Sequence, residues 1–181
     1  MISEKNYLDF QKHIDRSVLY KYFWIFWGNY AFIIFVLVGG YIFAKPELHE
    51  NWQALIGLSV LSFVISRGVV VSLINQFVKR VRPYQRYNTK PEETKFFSFR
   101  DKVHDSFPSR HTAAYFSVAA VVFYFYPILG AILIGTSIVA GVARVIMGWH
   151  WPTDILGGAI IGSGVAYLTI HFASQLFFTL T

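Results

Sequence analysis

The sequence predicts an all-α fold: a polytopic membrane helix bundle of about five transmembrane helices, with an amphipathic helix ahead of them. Three observations predict it. Apolar residues make up 55% of the 181-residue chain and charged residues only 14%, where a soluble globular domain carries about a quarter charged residues. The apolar residues are gathered into runs of roughly 20, the length a helix needs to cross a bilayer. Between the runs stand prolines and basic residues, which stop helices and mark interfaces.

Taken in order, residues 3–20 mix charges with Tyr7, Leu8, Phe10, Ile14, Val18 and Leu19 at roughly helical spacing. This pattern fits a helix lying in the interface over 1–20. The first 19 residues are polar and charged, and no small-residue cleavage site follows the first apolar run, so no cleavable signal is expected. The spans are read as Tyr22–Phe43, closed by Lys45-Pro46; Leu55–Val78, interrupted by Arg67; His111–Tyr126; Ile128–Met147; and Ile155–Phe178. Only Tyr126-Pro127 separates the third from the fourth, which predicts a tight helical hairpin. All five tryptophans fall near helix ends, where interfacial aromatics belong. Gly158 and Gly162 form a small-xxx-small pair, which permits close helix packing within the bundle or across a homodimer. The whole chain, 1–181, reads as one domain.

The net charge of +6 is uneven: nine of the sixteen Lys and Arg lie between Lys79 and Arg110. Such a cluster suits a phosphate-bearing partner, whether lipid headgroup, nucleic acid or anionic membrane surface; it also suits a solvated loop that fixes topology. A nucleic-acid binder has only that loop in its favour, since the aromatics are accounted for by the membrane. There are no cysteines, so disulfides and thiolate metal sites are excluded.

Counting spans brings the scattered polar residues together. The second helix ends on the membrane face where the 79–110 loop lies. The third helix leaves from that face, the fourth returns to it and the fifth leaves again. Arg82, Ser109, Arg110, His111, Arg144, His150 and Asp154 are therefore expected at one end of one bundle. Pro152 fits the first position of a helix, which puts Asp154 in its first turn and His150 just before. A carboxylate there is expected to accept the imidazole N–H and fix its tautomer. Ser109 is placed to cap the third helix, whose free N–H groups make an anion site. Histidine, aspartate, arginines and a helix N-terminus together suit phosphoryl transfer. A structural ion-pair network is the plainer reading of the same residues. A metal site built from His111, His150 and Asp154 is allowed by ligand type, but the neighbouring arginines would repel a cation. His13, His49 and His171 read as structural, His104 as either, and Arg67 as facing the bundle or snorkelling.

Three motifs resemble those of the type 2 phosphatidic acid phosphatase (PAP2) superfamily. The family's first motif is Lys, six residues, then Arg-Pro; Arg82-Pro83 match, with Asn75 at the lysine position. Its second, Pro-Ser-Gly-His, reads Pro108-Ser109-Arg110-His111. Its third, Ser-Arg, five residues, His, three residues, Asp, reads Ala143-Arg144, His150 and Asp154. The resemblance implies a metal-independent phosphatase that needs no cofactor. It implies that His150 attacks phosphorus to form a phosphohistidine, Asp154 orients it, and His111 protonates the leaving oxygen and then activates water. Arg82, Arg144 and Ser109 would hold the phosphate oxygens, with a main-chain N–H near Arg110.

Asn75 removes a cation that this pattern uses, and Lys79, Arg80 or Arg110 are candidates to replace it. Arg110 stands where the family has glycine and suits a second phosphate. A site level with the headgroups suits a lipid phosphate or diphosphate, with undecaprenyl diphosphate favoured over phosphatidate, phosphatidylglycerol phosphate and a lipid A phosphate. The positive-inside rule puts the site in the cytoplasm, whereas the resemblance puts it on the extracytoplasmic face; the latter is preferred because many of the charges counted would be catalytic. Two rivals of other classes are a lipid-phosphate-binding protein without turnover, favoured by Asn75, and an anion transporter or channel, disfavoured because the polar residues gather at one end.

Overall fold

A computed structural model describes residues 7–9, 12, 17–89 and 105–179. Among them the regular structure is helical, as the hydropathy requires. α1 (Val18–Tyr30) and α2 (Phe32–Ala44) are followed by a short 3₁₀ turn (Pro46–Asn51). α3 (Trp52–Phe63) continues through a π-helical segment (Val64–Val70) into α4 (Val71–Phe77). A four-residue helix, α5 (Pro83–Arg86), precedes α6 (Arg110–Phe125), α7 (Pro127–Ile146) and α8 (Pro152–Thr179).

Among the described residues three helical stretches are long and apolar enough to cross a membrane: Trp52–Phe77, Pro127–Ile146 and Pro152–Gln175. The expected first span, Tyr22–Phe43, is instead the pair α1 and α2, bent by 55° at Ala31; counted as one it makes a fourth crossing. The bend has a side-chain cause. In an unbroken helix the Phe32 amide would bond the Gly28 carbonyl. Here Arg144 Nη2 takes that carbonyl at 2.8 Å, and the Phe32 amide bonds the Tyr115 hydroxyl. Side chains inserted into the ladder are a recognised source of kinks.

The expected third span is α6, only 16 residues long. At 1.5 Å per residue it reaches about 24 Å, short of a ~30 Å hydrocarbon core. It is the central helix, packed by α8, α7 and α3, and its buried face is small: Ala113, Ala114, Ser117 and Ala119. The glycine pair of α8 acts within this bundle. A Cβ at Gly158 would stand 2.8 Å from the Ser109 carbonyl oxygen, and one at Gly162 2.3 Å from that of Ala113. Backbone therefore meets backbone along α6 and α8.

Hydroxyl pairs join the helices at depth, Ser62 to Thr169 at 2.6 Å and Ser66 to Ser117 at 3.1 Å. The outer faces carry exposed large apolar side chains such as Val36, Leu37, Phe43, Ile128, Ile160 and Tyr167, as expected of a lipid-facing surface. This is a multi-pass membrane bundle. The amphipathic helix expected over 1–20 lies mostly outside the described residues. Within it Tyr7–Asp9 and Lys12 are helical, and Tyr7 is buried against Tyr87, rings 4.5 Å apart.

Candidate active site

The turns at one end of the bundle interlock. Tyr84 N–H donates to the Gly148 carbonyl at 3.1 Å, Ser106 N–H to the Arg80 carbonyl at 3.1 Å, and Ser109 N–H to the Asp154 carbonyl at 3.1 Å. Gly148 ends α7 with φ 74°, a conformation that glycine adopts without steric cost. It turns the chain so that His150 comes inward and Pro152 opens α8. The three sequence regions expected to converge do so.

Asp154 is fully buried in the first turn of α8. Its Oδ1 accepts from Arg80 Nη1 at 2.7 Å. Its Oδ2 accepts from the Ser106 hydroxyl at 2.5 Å and the Trp151 amide at 2.8 Å. Donors on both oxygens fix the orientation of this carboxylate.

His150 is 3% exposed. Its Nδ1 lies 3.0 Å from the Ser106 carbonyl oxygen and 3.5 Å from Asp154 Oδ2. The aspartate stands beside the imidazole Nδ1 as expected, and the Ser106 carbonyl is a second, nearer acceptor. A carbonyl can only accept, so Nδ1 carries the hydrogen, and the neutral ring keeps its lone pair on Nε2. Burial pushes the His150 pKa below its ordinary 6.5; the hydrogen bond to Asp154 opposes this, and the charges of Arg82 and Arg144 reinforce it. The ring is therefore neutral at pH 7.

Ser109 caps α6, its hydroxyl accepting from the Thr112 amide at 3.4 Å and the Thr112 hydroxyl at 3.0 Å. Arg82 is 4% exposed, bonds the Asp105 carbonyl at 3.4 Å and lies over Trp149 at 5.8 Å. Arg144 is half-buried between Gly28 and Tyr115. His111, one turn before Tyr115, lies in the field of Arg144, Arg67, His150 and Arg82.

The candidates for replacing the motif lysine are otherwise engaged. Lys79 donates to the Asn75 backbone carbonyl at 2.9 Å and stands 4.0 Å from Asp105. Arg110 pairs with Asp105 at 3.3 Å. Arg80 is taken by Asp154 and by the Thr153 hydroxyl at 2.6 Å. Asn75 is 2% exposed, and among the described residues neither atom of its side-chain amide has a hydrogen-bond partner.

Arg80, Asp105, Ser106 and Tyr115 were not among the expected site residues. The sequence offers Arg80 only as a substitute cation, and no sequence spacing links it to Asp154. Ser106 works partly through its carbonyl, which no residue pattern reveals. Asp105 had one signal, an acid amid a basic stretch. His171 is exposed and stacks on Tyr167, remote from these groups, and His13 and His104 lie outside the described residues. Among the described residues no cluster of three or more His, Cys, Asp or Glu is placed to hold a metal.

The arrangement offers a neutral buried imidazole with an oriented lone pair, a second imidazole, two arginine forks and a helix N-terminus. It can bind an anion and transfer a phosphoryl group by nucleophilic attack and proton donation.

Residues 56–178 match the family model described as the PAP2 superfamily. The chain is 30% identical over 146 residues to the bacitracin transport permease protein BcrC of Bacillus licheniformis, covering 80% of this chain and 68% of that one. It is 28% identical to a lipid A 1-phosphatase of Rhizobium etli, covering 70% and 54%. It is also 28% identical to an undecaprenyl-diphosphatase of Sulfolobus acidocaldarius, covering 64% and 53%. It thus spans about half the length of the last two. Among solved structures, Aquifex aeolicus LpxE superposes with a TM-score of 0.62 at 21% identity over 91% of this chain and 94% of that chain, a likeness of fold.

Proposed function

The chain belongs to the PAP2 superfamily of lipid phosphatases, and from that membership we propose that it hydrolyses a lipid phosphate or diphosphate at the membrane surface through a phosphohistidine. Undecaprenyl diphosphate is the favoured substrate, ahead of phosphatidate, phosphatidylglycerol phosphate and a lipid A phosphate. The observation that carries the mechanism is the His150 ring, with its Nδ1 hydrogen between the Ser106 carbonyl and Asp154 and its Nε2 left with a lone pair.

Nε2 attacks phosphorus, forming an N–P bond as the bond to the leaving oxygen breaks, and His111 supplies the proton to that oxygen. His111 then takes a proton from water, whose oxygen attacks the phosphohistidine, and inorganic phosphate leaves with His150 restored. Arg82 and Arg144 meet the charge on the equatorial oxygens, with the α6 N-terminus at Ser109 adding N–H groups. Asp154 offsets the positive charge that develops on the His150 ring. No step requires a metal.

The apolar outer faces beside the site favour a substrate whose tail stays in the bilayer. We place the site on the extracytoplasmic face of the cell membrane; a cysteine introduced at Thr89 should react with an impermeant reagent in intact cells, and protection would reverse the assignment. A lipid-phosphate-binding protein with weak turnover is the second reading. The uncharged Asn75 amide favours it. A phosphate-release panel over the four lipids, with chelator present, decides. Release that survives chelator and is lost in His150→Ala is expected. Absence of release from every lipid supports the binding protein, and chelator-sensitive release overturns the mechanism.

A further inference from the structure

Two successive backbone carbonyls hold two groups that the proposed mechanism brings to one phosphate. The Asp105 carbonyl accepts from Arg82 Nη2 at 3.4 Å, and the Ser106 carbonyl accepts from His150 Nδ1 at 3.0 Å. The spacing of the arginine and the imidazole is therefore carried by a segment of two residues. Reacting groups must be held within about 0.5 Å of their productive geometry, so whatever fixes this segment bears on the rate. Its backbone is held by the Ser106 amide, which donates to the Arg80 carbonyl at 3.1 Å in a parallel bridge between Arg80 and Asp105. The Ser106 hydroxyl donates to Asp154 at 2.5 Å. The remaining hold is the Asp105 carboxylate, whose side chain is 9% exposed. Its Oδ2 accepts from Arg110 Nη2 at 3.3 Å, and its Oδ1 stands 4.0 Å from Lys79 Nζ. Arg110 opens α6 and Lys79 follows the end of α4, so this carboxylate ties the segment to two helix ends. Among the described residues the buried carboxylates are Asp105 and Asp154, and the mechanism above uses only the second.

Resting on the reading that Arg82 and His150 act on one phosphate, we propose that Asp105 is a positioning residue: its carboxylate, pinned by Arg110 and Lys79, sets the spacing of Arg82 and His150 for a phosphoryl group. It touches no substrate atom and acts through the two carbonyls. Its charge by itself works the other way, because a carboxylate near a phosphate repels it. Removing the charge while keeping the shape therefore separates the two effects by sign. Loss of repulsion tightens an anion; loss of positioning weakens it.

The test is Asp105→Asn, read by inhibition with inorganic phosphate, the proposed product, of hydrolysis of whichever of the four lipids the wild type cleaves. The inhibition constant does not depend on the folded fraction. It is expected to rise on the order of tenfold, the worth of one hydrogen bond to a charged group, with a fall in kcat of similar size. Asp105→Glu, which restores the charge one methylene farther out, should recover part of both. An inhibition constant that falls marks Asp105 as a bare negative charge beside the site, and one at the wild-type value marks it as scaffold; either overturns the proposal. Arg110→Gln breaks the same pair from its half-exposed side and serves if Asp105→Asn does not fold: kcat is expected to fall, and kcat at the wild-type value overturns the proposal. Wild-type protein that releases phosphate from none of the lipids removes the function and this inference together, whereas the variant outcomes remove the inference alone.

Discussion

Arg80 Nη1 lies 2.7 Å from Oδ1 of the buried Asp154, and the same guanidinium lies 5.6 Å from the Trp151 ring centre. The aspartate beside the proposed nucleophile is thus itself held by a cation 74 residues earlier in the chain. Arg80 is a positioning residue: it acts on the His150 ring through Asp154. Arg80→Gln is expected to lower kcat by on the order of tenfold with little change in KM, consistent with about 1.5–3 kcal/mol for a hydrogen bond between charged groups. Arg80→Lys should recover part of the rate. Arg82→Gln, which removes a proposed phosphate contact, should raise KM as well. Steady-state kinetics on one lipid phosphate checks both, and a rise in KM alone for Arg80→Gln would count against the positioning role.

The depressed pKa of His150 fixes the sign of the pH dependence. As the proposed nucleophile His150 must be neutral, and burial keeps it neutral to lower pH than an ordinary imidazole of 6.5. The acid limb of kcat/KM assigned to His150 should therefore fall below 6.5. Asp154→Asn removes a group that raises this pKa and should move the limb lower still, together with a loss of rate. Stability carries the same sign. The folded pKa lies below the unfolded value, so the unfolded chain binds the proton first. The contribution of His150 is full above the unfolded pKa and is lost as pH falls through the folded one. A limb above 6.5 in a pH–rate profile would contradict the burial.

Asn75 sets stability against function. Its amide is buried without hydrogen-bond partners among the described residues, an arrangement that costs about 1–3 kcal/mol. Asn75→Leu, which keeps the branching at Cγ and removes the polar atoms, is expected to raise Tm in detergent while lowering kcat/KM. A fall in Tm with unchanged turnover would assign the amide to the scaffold.

Much of the site was legible because its chemistry is carried by side chains at fixed local spacing. His150 and Asp154 are one turn apart, Ser109 and His111 flank a helix start, and Pro127 and Pro152 open helices where expected. The parts that were not legible act across long separations or through the backbone. The Ser106 carbonyl, the Arg80–Asp154 pair and the Tyr115–Arg144 contact depend on tertiary placement, which periodicity does not encode. The bend at Ala31 escaped for the same reason, because its cause lies in α6 and α7.

Helix contact should dominate the effect of glycine substitution. Gly162→Ala would put a Cβ 2.3 Å from a backbone oxygen, which the main chain cannot yield without separating α6 from α8. A loss of several kcal/mol is expected, at the upper end for single substitutions of about 4–5. Gly164→Ala, whose Cβ would meet nothing within 4 Å, should be neutral or slightly stabilising, since alanine suits a helix better by about 1 kcal/mol. Tm in detergent separates the two.

Because α6 and α8 touch through main chain rather than through interlocking bulk, the spacing of the reactive groups does not depend on which oily residues coat the outside. Exchanging Leu, Ile, Val and Phe among themselves on the lipid-facing stripes should leave the geometry of those groups in place. The narrow seam of Gly158 and Gly162 has no such latitude.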